Sequence, residues 1–154
     1  MADNVGVTHR HVVLPRGINL GRLNKVPMPA LRERLAECGF AGVQTLLQSG
    51  NIVLDTDEAD GERVAGQVRT VLCEAFDVDV PCVVRSPEQI RAVVALNPLA
   101  DLATDPARYL VTFFTSTPPA EAVERLLASD RLPPGFTVSG REAYIWTPDG
   151  VATL

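Results

Sequence analysis

The order of the short apolar runs in residues 1–85 constrains the fold of this chain more than any other feature. Strand-like runs at residues 12–14, 43–47, 52–54 and 80–84 and two helix-like segments follow the order strand, helix, strand, strand, helix, strand. Runs rich in branched apolar residues predict strands, and apolar positions three or four residues apart predict helices. This order is typical of the split βαβ unit of ferredoxin-like domains. We therefore expect an α+β fold.

Two helices are marked in this part of the chain. The first begins near Pro29 and ends at Gly39, because proline suits the first turn of a helix and glycine its end. Its predicted buried stripe contains Met28, Leu31, Leu35 and Cys38. Thr56 or Asp57 can provide the N-terminal cap of the second helix. The predicted buried residues of that helix are Val64, Val68, Val71, Leu72 and Phe76.

A similar order of elements returns later in the chain. A third helix opens at Ser86 with capping-box spacing to Gln89, its predicted buried residues are Ile90, Val93 and Val94, and residues 97–108 have linker composition. Strand, helix, strand and strand follow at residues 109–114, 119–126, 136–138 and 144–146. We expect two ferredoxin-like (βαββαβ) halves, the second incomplete at its C-terminus. Residues 1–85 form the first half, residues 86–108 a helix and linker, and residues 109–154 the second half.

Polar loops follow two of the predicted strands. Residues 16–19 follow the first strand, and residues 48–51 join the second strand to the third. Because a helix crosses back between the first two strands, both loops and the start of the first helix lie at one end of the sheet. The loops offer cationic, hydroxyl and amide groups, and glycines that allow a ligand to approach the backbone. The candidate ligand-binding residues are Arg16, Gly17, Asn19, Lys25, Ser49, Gly50 and Asn51.

The same residues also have a purely structural interpretation. Asparagine, serine and glycine are the ordinary residues of tight turns, in which their side chains bond to local backbone. Arg16 can also pair with Asp77 or Asp79, in the turn before the fourth strand at the same end of the sheet. Residue types alone leave both interpretations open.

Charge is distributed unevenly along the chain. The net charge is −5, yet residues 1–35 contain six lysines and arginines against two acids, and the remainder contains eight against seventeen. A basic segment on an acidic protein permits an anionic partner there. We expect a cytoplasmic protein without a membrane partner, because no apolar run approaches the ~20 residues of a membrane helix and the N-terminus lacks a signal-peptide core. The cysteines, predicted to be buried and unpaired, are Cys38, Cys73 and Cys82.

Several motifs in the first third of the chain resemble a known family. The runs Arg16-Gly-Ile-Asn-Leu-Gly, Asn24-Lys-Val-Pro-Met28 and Gln48-Ser-Gly-Asn-Ile-Val-Leu54 are similar to a bacterial family catalogued as domain of unknown function 1697. The resemblance covers most of residues 11–55 and continues more weakly at 108–114 and 144–150. It implies two ferredoxin-like halves and no established activity. Its signature positions fall on Arg16, Gly17, Asn19, Gly21, Ser49, Gly50 and Asn51.

The chain departs from that family pattern in two ways. Pro15 stands where the family has an apolar strand residue, and proline removes a donor from the ladder of a central strand. The family pattern also continues past the position of Leu154, into a helical segment with Ser-Lys-Leu and Arg-Asn-Trp motifs. If those residues complete the site, we expect its function to be impaired here.

The expected function is binding of a small anionic or phosphate-bearing ligand. Arg16 is the predicted charge anchor, and Asn19, Ser49 and Asn51 are the predicted orienting donors. One alternative is an acylphosphatase-like phosphate hydrolase, in which Arg16 and Asn51 or Asn19 hold the phosphate; it rests on analogy of fold. Whether the protein is an enzyme, and whether it forms a homodimer, stays open.

A second alternative is an RNA-binding module. Such a module stacks bases on exposed aromatic side chains of a sheet, and the pairs Tyr109/Phe113 and Tyr144/Trp146 are the candidates here. We expect no cofactor. We also expect no metal site, because the two histidines, at positions 9 and 11, have no third ligand at a suitable spacing.

Overall fold

The first part of the chain is built on a four-stranded antiparallel sheet. The computed structural model describes residues 6–150 and divides into two compact units, Met1–Ile90 and Arg91–Leu154. The strands pair in the order β2-β3-β1-β4, and all neighbours are antiparallel. The elements follow the predicted order: β1 (His9–Pro15), α1 (Met28–Glu37), β2 (Ala41–Leu46), β3 (Asn51–Thr56), α2 (Gly61–Phe76) and β4 (Cys82–Arg85).

One apolar cluster joins both helices to one face of this sheet. Val13 of β1 and Ile52 and Leu54 of β3 are fully buried in it, because alternate residues of a strand face the same side. The helices contribute the predicted stripes, and each fully buried aliphatic side chain stabilises the fold by about 1.5–3 kcal/mol. The helical members are Met28, Leu31, Leu35, Val64, Ala65, Val68, Val71 and Leu72.

Details of both helices differ from the sequence prediction. Cys38 is exposed, because it is the C-terminal cap of α1 and lies beyond the last helical turn. Cys73 is exposed on the outer face of α2, so the prediction of buried cysteines is wrong at both positions. The cap of α2 is Asp60, whose carboxylate accepts the Glu62 N–H at 3.0 Å. The chain is still extended in β3 at Thr56, which therefore does not cap the helix.

The outer strand β2 is irregular. Its pairing with β3 shifts register between Ala41 and Gln44, and Gly42 between them has a positive φ of 57°. A Cβ at Gly42 would lie 2.7 Å from Asp55 Oδ2, so this position of the bulge requires glycine.

Helix α3 (Pro87–Leu96) begins with the predicted capping box. The Ser86 N–H donates to Gln89 Oε1 at 2.8 Å, and the Gln89 N–H donates to Ser86 Oγ at 3.2 Å. Val93 is buried as predicted, whereas Val94 is exposed, because it lies one position, about 100°, further round the helix.

The second unit contains a three-stranded antiparallel sheet. Its strands pair in the order β5-β7-β6. Ala143, Tyr144 and Trp146 of β7 are buried, and the Tyr144 hydroxyl donates to the Val93 carbonyl at 3.5 Å. The elements, preceded by a 3₁₀ turn at Pro106–Arg108, are β5 (Tyr109–Phe113), α4 (Ala120–Leu127), β6 (Gly135–Ser139) and β7 (Glu142–Trp146).

The chain therefore has a mixed α/β fold with two antiparallel sheets and four α-helices among residues 6–150. None of the helices in these residues is long and apolar enough to cross a lipid bilayer.

Candidate functional site at the loop end of the first sheet

Strand register gathers the predicted loops at one end of the first sheet. Val13 pairs with Ile52 on one side of β1 and with Val84 on the other. The last residues of β1 therefore lie beside the β2–β3 turn and the start of β4. We call residues 16–27 and 47–50 together the loop end. Residues 47–50 form the predicted hairpin turn, closed by a hydrogen bond from the Gly50 N–H to the Leu47 carbonyl at 3.2 Å.

Pro15 is accommodated at the margin of the central strand. It is the last residue of β1, in register with Cys82. The next residue, Arg16, donates its backbone N–H to the Pro81 carbonyl at 2.9 Å. The hydrogen bond that proline cannot donate therefore costs little stability, because backbone hydrogen bonding to the segment that leads into β4 resumes at the next residue.

Asn19 joins the two parts of the loop end. Its Nδ2 donates to the Val26 carbonyl at 2.9 Å and to the Gln48 carbonyl at 2.7 Å, and its Oδ1 accepts the Val26 N–H at 2.8 Å. Its φ of 54° lies in the left-handed region, which asparagine tolerates better than most residues. Both amide N–H bonds are thus occupied, so the donor role predicted for Asn19 is not available in this arrangement.

Asn51 has a similar structural role in the turn. Its Nδ2 donates to the Leu46 carbonyl at 3.0 Å and to Ser49 Oγ at 3.3 Å. These bonds occupy the amide donors that we predicted for a ligand. The Ser49 hydroxyl accepts one of them and keeps its own hydrogen for another acceptor.

Two glycines of the loop end are required by backbone conformation and packing. Gly50 is buried with a φ of 78°, and a Cβ there would collide with Ile18 Cδ1 and lie 3.8 Å from Met28 Cε. Gly17 has a φ of 75°, and its carbonyl accepts a hydrogen bond from Asn24 Nδ2 at 2.9 Å. Asn24, for which we predicted no role, has a φ of 49°. Its position in a glycine-rich loop could have indicated this turn role, because asparagine tolerates a positive φ.

Three cations of the loop end, Arg16, Arg22 and Lys25, are exposed. Within residues 6–150 none of the three side chains has an ion-pair partner. Neither of the predicted alternative partners of Arg16, Asp77 or Asp79, forms an ion pair with it within residues 6–150, and Asp79 is 2.6 Å from Arg69 Nε instead. The hydrogen bond from Arg69 lowers the pKa of Asp79 below its ordinary value.

Other arginines of the first unit do have carboxylate partners. Arg10 forms a two-point contact with Asp55, with both N–O distances at 2.8 Å, and this hydrogen bonding lowers the pKa of Asp55. Three more arginines form ion pairs, which are Arg34–Glu37, Arg63–Glu58 and Arg69–Asp79. The loop-end cations have no such partner within residues 6–150, and residues 4–32 themselves contain no aspartate or glutamate.

The start of α1 adds to the positive character of the loop end. Its N-terminal cap is Pro27, which offers no side-chain hydrogen bond, and its first turn contains no acid. The free N–H groups and the positive end of the helix dipole are therefore not compensated by a local carboxylate.

A cavity of about 440 Å³ lies at the other end of the first sheet, where the sequence analysis predicted no site. The acidic residues Asp57 and Glu58 line it, together with Thr56 and Gln67. Such a lining does not fit an anion. Nearby, buried His11 contacts the Glu58 carbonyl through Nε2 at 2.9 Å. No cluster of three or more candidate metal ligands occurs in the described residues.

The aromatic side chains of the second sheet have limited exposure. Tyr144 and Trp146 are buried, and the rings of Tyr109 and Tyr144 lie 6.5 Å apart at 47°. Base stacking requires an exposed ring face, so neither Tyr144 nor Trp146 provides one in this arrangement.

These features define the class of protein: a mixed α/β fold with two antiparallel sheets, in which asparagine side chains hold together two cation-bearing loops of the first sheet. The chain belongs to the family described as protein of unknown function (DUF1697), whose family model matches residues 8–144; this confirms the resemblance found in the sequence. A solved structure similar to it is that of the conserved bacterial protein SP0830 from Streptococcus pneumoniae. The TM-score is 0.70 and the identity 24%, over 93% of this chain and 80% of that one. At this identity the likeness shows the fold alone. No curated protein matches the chain.

Proposed function

We propose that this protein binds a small anionic or phosphate-bearing ligand at the loop end. The observation that carries the proposal is a set of cations, Arg16, Arg22 and Lys25, that have no ion-pair partner within residues 6–150 and lie on a segment without acids. In a chain with a net charge of −5, this concentrates positive potential at one end of one sheet. The uncapped start of α1 favours an anion in the same place.

The predicted site residues divide into two groups in this proposal. Arg16 and Lys25 supply charge, and Arg16 can hold a carboxylate or phosphate by two parallel hydrogen bonds. Ser49 supplies a hydroxyl donor. The remaining residues hold the loops in shape around these groups; they are Gly17, Asn19, Gly50 and Asn51.

Neither alternative function is favoured by a specific observation. The acylphosphatase-like hypothesis needs an asparagine amide free to order water, and the Nδ2 groups of Asn19 and Asn51 already donate to other protein groups. The RNA-binding hypothesis needs exposed aromatic faces, and Tyr144 and Trp146 are buried.

We also propose that the two units are ferredoxin-like halves. The strand order β2-β3-β1-β4 with a helix after β1 and after β3 supports this for the first half. The order β5-β7-β6 is the same arrangement without a fourth strand, as proposed for a second half spanning residues 109–154. Residues 1–85 and the helix and linker at 86–108 complete the proposed organisation.

A thermal-shift titration with inorganic phosphate, pyrophosphate, adenosine monophosphate and citrate tests the proposed function. A ligand at ~100 times its dissociation constant adds about 2.7 kcal/mol to the free energy of unfolding, which raises the Tm of a chain this size by about 5–10 °C. We expect Arg16→Ala to abolish the rise and to change the Tm without ligand little, because exposed, unpaired side chains contribute within about 0.5 kcal/mol.

Arg34→Ala is the matched control, because Arg34 is exposed on α1 and paired with Glu37. It should keep the full response. A flat response of the wild-type protein to all four anions, or a Tm loss above 5 °C in unliganded Arg16→Ala, would show that these loops are structural turns.

A further inference from the structure

Four leucines at or beside the loop end are largely exposed. The exposed fractions are 61% for Leu20, 70% for Leu23, 67% for Leu46 and 69% for Leu47. Single exposed leucines are common on soluble proteins, but several on neighbouring turns mark a candidate interaction surface. We call these four residues the leucine patch.

Backbone geometry places the four leucines in or beside two adjoining turns. Leu20 and Leu23 face each other across a bridge, with the Leu23 N–H donating to the Leu20 carbonyl at 2.9 Å and Gly21 and Arg22 at the tip. Leu46 and Leu47 lead into the hairpin turn. A hydrogen bond from Asn19 to the Gln48 carbonyl joins the two turns. Asn19 is next to Leu20 in the sequence, and Gln48 is next to Leu47.

Of the two segments that carry the leucine patch, one contains three cations and neither contains an acid. Arg22 lies between Leu20 and Leu23, and Arg16 and Lys25 lie in the same loop. No acid occurs in residues 4–32 or 46–54, so a partner for this surface carries negative charge as well as an apolar interior. An aliphatic patch without Phe, Tyr or Trp in residues 16–27 and 46–50 is poorly suited to nucleic-acid bases, which stack on aromatic rings.

We infer that the leucine patch and its flanking cations dock the protein peripherally on an anionic phospholipid surface. Turns with exposed leucines can enter the headgroup region, while arginine and lysine bind the phosphates. The inference rests on the proposed function and identifies its phosphate-bearing partner as a bilayer. It departs from the sequence expectation of no membrane partner, which considered only a spanning helix; peripheral docking requires none.

Sedimentation with sucrose-loaded vesicles provides the test. One set is pure phosphatidylcholine, and the other contains 30% phosphatidylglycerol. We expect binding to the anionic set at 0.1 M NaCl, with at least tenfold weaker partitioning to the neutral set, because each cation near a charged bilayer contributes about fivefold. Raising NaCl to 0.5 M should weaken the binding, because salt screens these charges.

Leucine substitutions separate membrane insertion from simple charge attraction. The double variant Leu20→Ser/Leu23→Ser should lose at least tenfold in vesicle partitioning while keeping the thermal response to phosphate or pyrophosphate. The variant Leu46→Ser/Leu47→Ser repeats the test should the first fold poorly. The matched control is Leu126→Ser/Leu127→Ser, because these leucines are exposed on α4; it should bind like the wild type.

The possible outcomes distinguish the inference from the proposed function. A thermal response to phosphate without vesicle binding would overturn the inference and leave the proposed function intact. Vesicle binding unchanged by the leucine variants, or equally tight binding to poly-L-glutamate, would also overturn it, the latter in favour of an acidic protein partner. Failure to bind both phosphate and vesicles would contradict both proposals.

Discussion

At the scale of single residues, asparagine side chains decide the shape of the loop end. Asn19, Asn24 and Asn51 direct their amides to backbone carbonyls of the same loops. The sequence predicts the position of Asn19 and Asn51 at this end of the sheet, but not that their amides bond to the loops themselves rather than to a ligand. Residue type does not distinguish these roles, because the same amide serves a turn or a ligand and only its orientation decides.

We predict that Asn19→Ala destabilises the protein by about 2–4 kcal/mol. The substitution removes three hydrogen bonds, each worth about 0.5–1.5 kcal/mol, and places alanine at a positive φ that it adopts reluctantly. Urea unfolding monitored by circular dichroism measures the change. Asn51→Ala removes one hydrogen bond to backbone and a longer one to Ser49, so it should lower the free energy of unfolding about half as much. A loss below ~0.5 kcal/mol for Asn19→Ala would show that Asn19 does not join the two loops.

At the scale of elements, apolar periodicity predicted the order of strands and helices and the buried faces of α1 and α2. The errors lie at element ends. Asp60 caps α2 rather than Thr56 or Asp57. The sequence offers several residues that can cap a helix in this segment, and periodicity does not show where β3 ends and α2 begins. Val94 was assigned to the buried face of α3 because an apolar side chain beside Val93 does not itself reveal which of the two faces solvent.

Two glycine positions provide a matched comparison between a turn and a helix. We expect Gly50→Ala to destabilise the protein by at least about 2 kcal/mol, because the new Cβ collides with Ile18 at a positive φ in a packed site. Gly66→Ala should stabilise the protein by about 0.5–1 kcal/mol, because Gly66 lies inside α2 with no atom within 4 Å of a new Cβ and alanine favours helix. Thermal unfolding of both variants checks this, and equal effects of the same sign would contradict the packing at Gly50.

At the scale of the whole molecule, the chain combines an acidic average with one cationic loop end. Composition revealed the asymmetry, since residues 1–35 are basic and the remainder acidic. Composition did not reveal that Arg16, Arg22 and Lys25 lack an ion-pair partner in the part of the chain that the structure describes, because pairing depends on which acids the fold brings close. The sequence also did not predict which cysteines are exposed. All three lie among apolar residues along the chain, but only Cys82 is partly buried, whereas Cys38 and Cys73 are exposed.

The three cysteines should differ in reactivity. Burial raises the pKa of the Cys82 thiol to about 11, and only the thiolate reacts with alkylating agents. At pH 8.5 we expect iodoacetamide to modify the exposed Cys38 and Cys73 first and Cys82 at least tenfold more slowly, as followed by peptide mass spectrometry. In 6 M guanidinium chloride the difference should disappear, and fast modification of Cys82 in the native protein would contradict its burial.

The irregular pairing of β2 has a consequence for the behaviour of this protein in concentrated solution. β2 is an outer strand of its sheet, and none of its residues, Ala41–Leu46, is charged or proline, so it lacks the usual protection against addition of a strand from another molecule. The register shift at Gly42 interrupts the straight row of backbone donors and acceptors that such addition requires. We therefore expect the bulge at Gly42 to oppose such addition, as a lysine does on many other sheet edges.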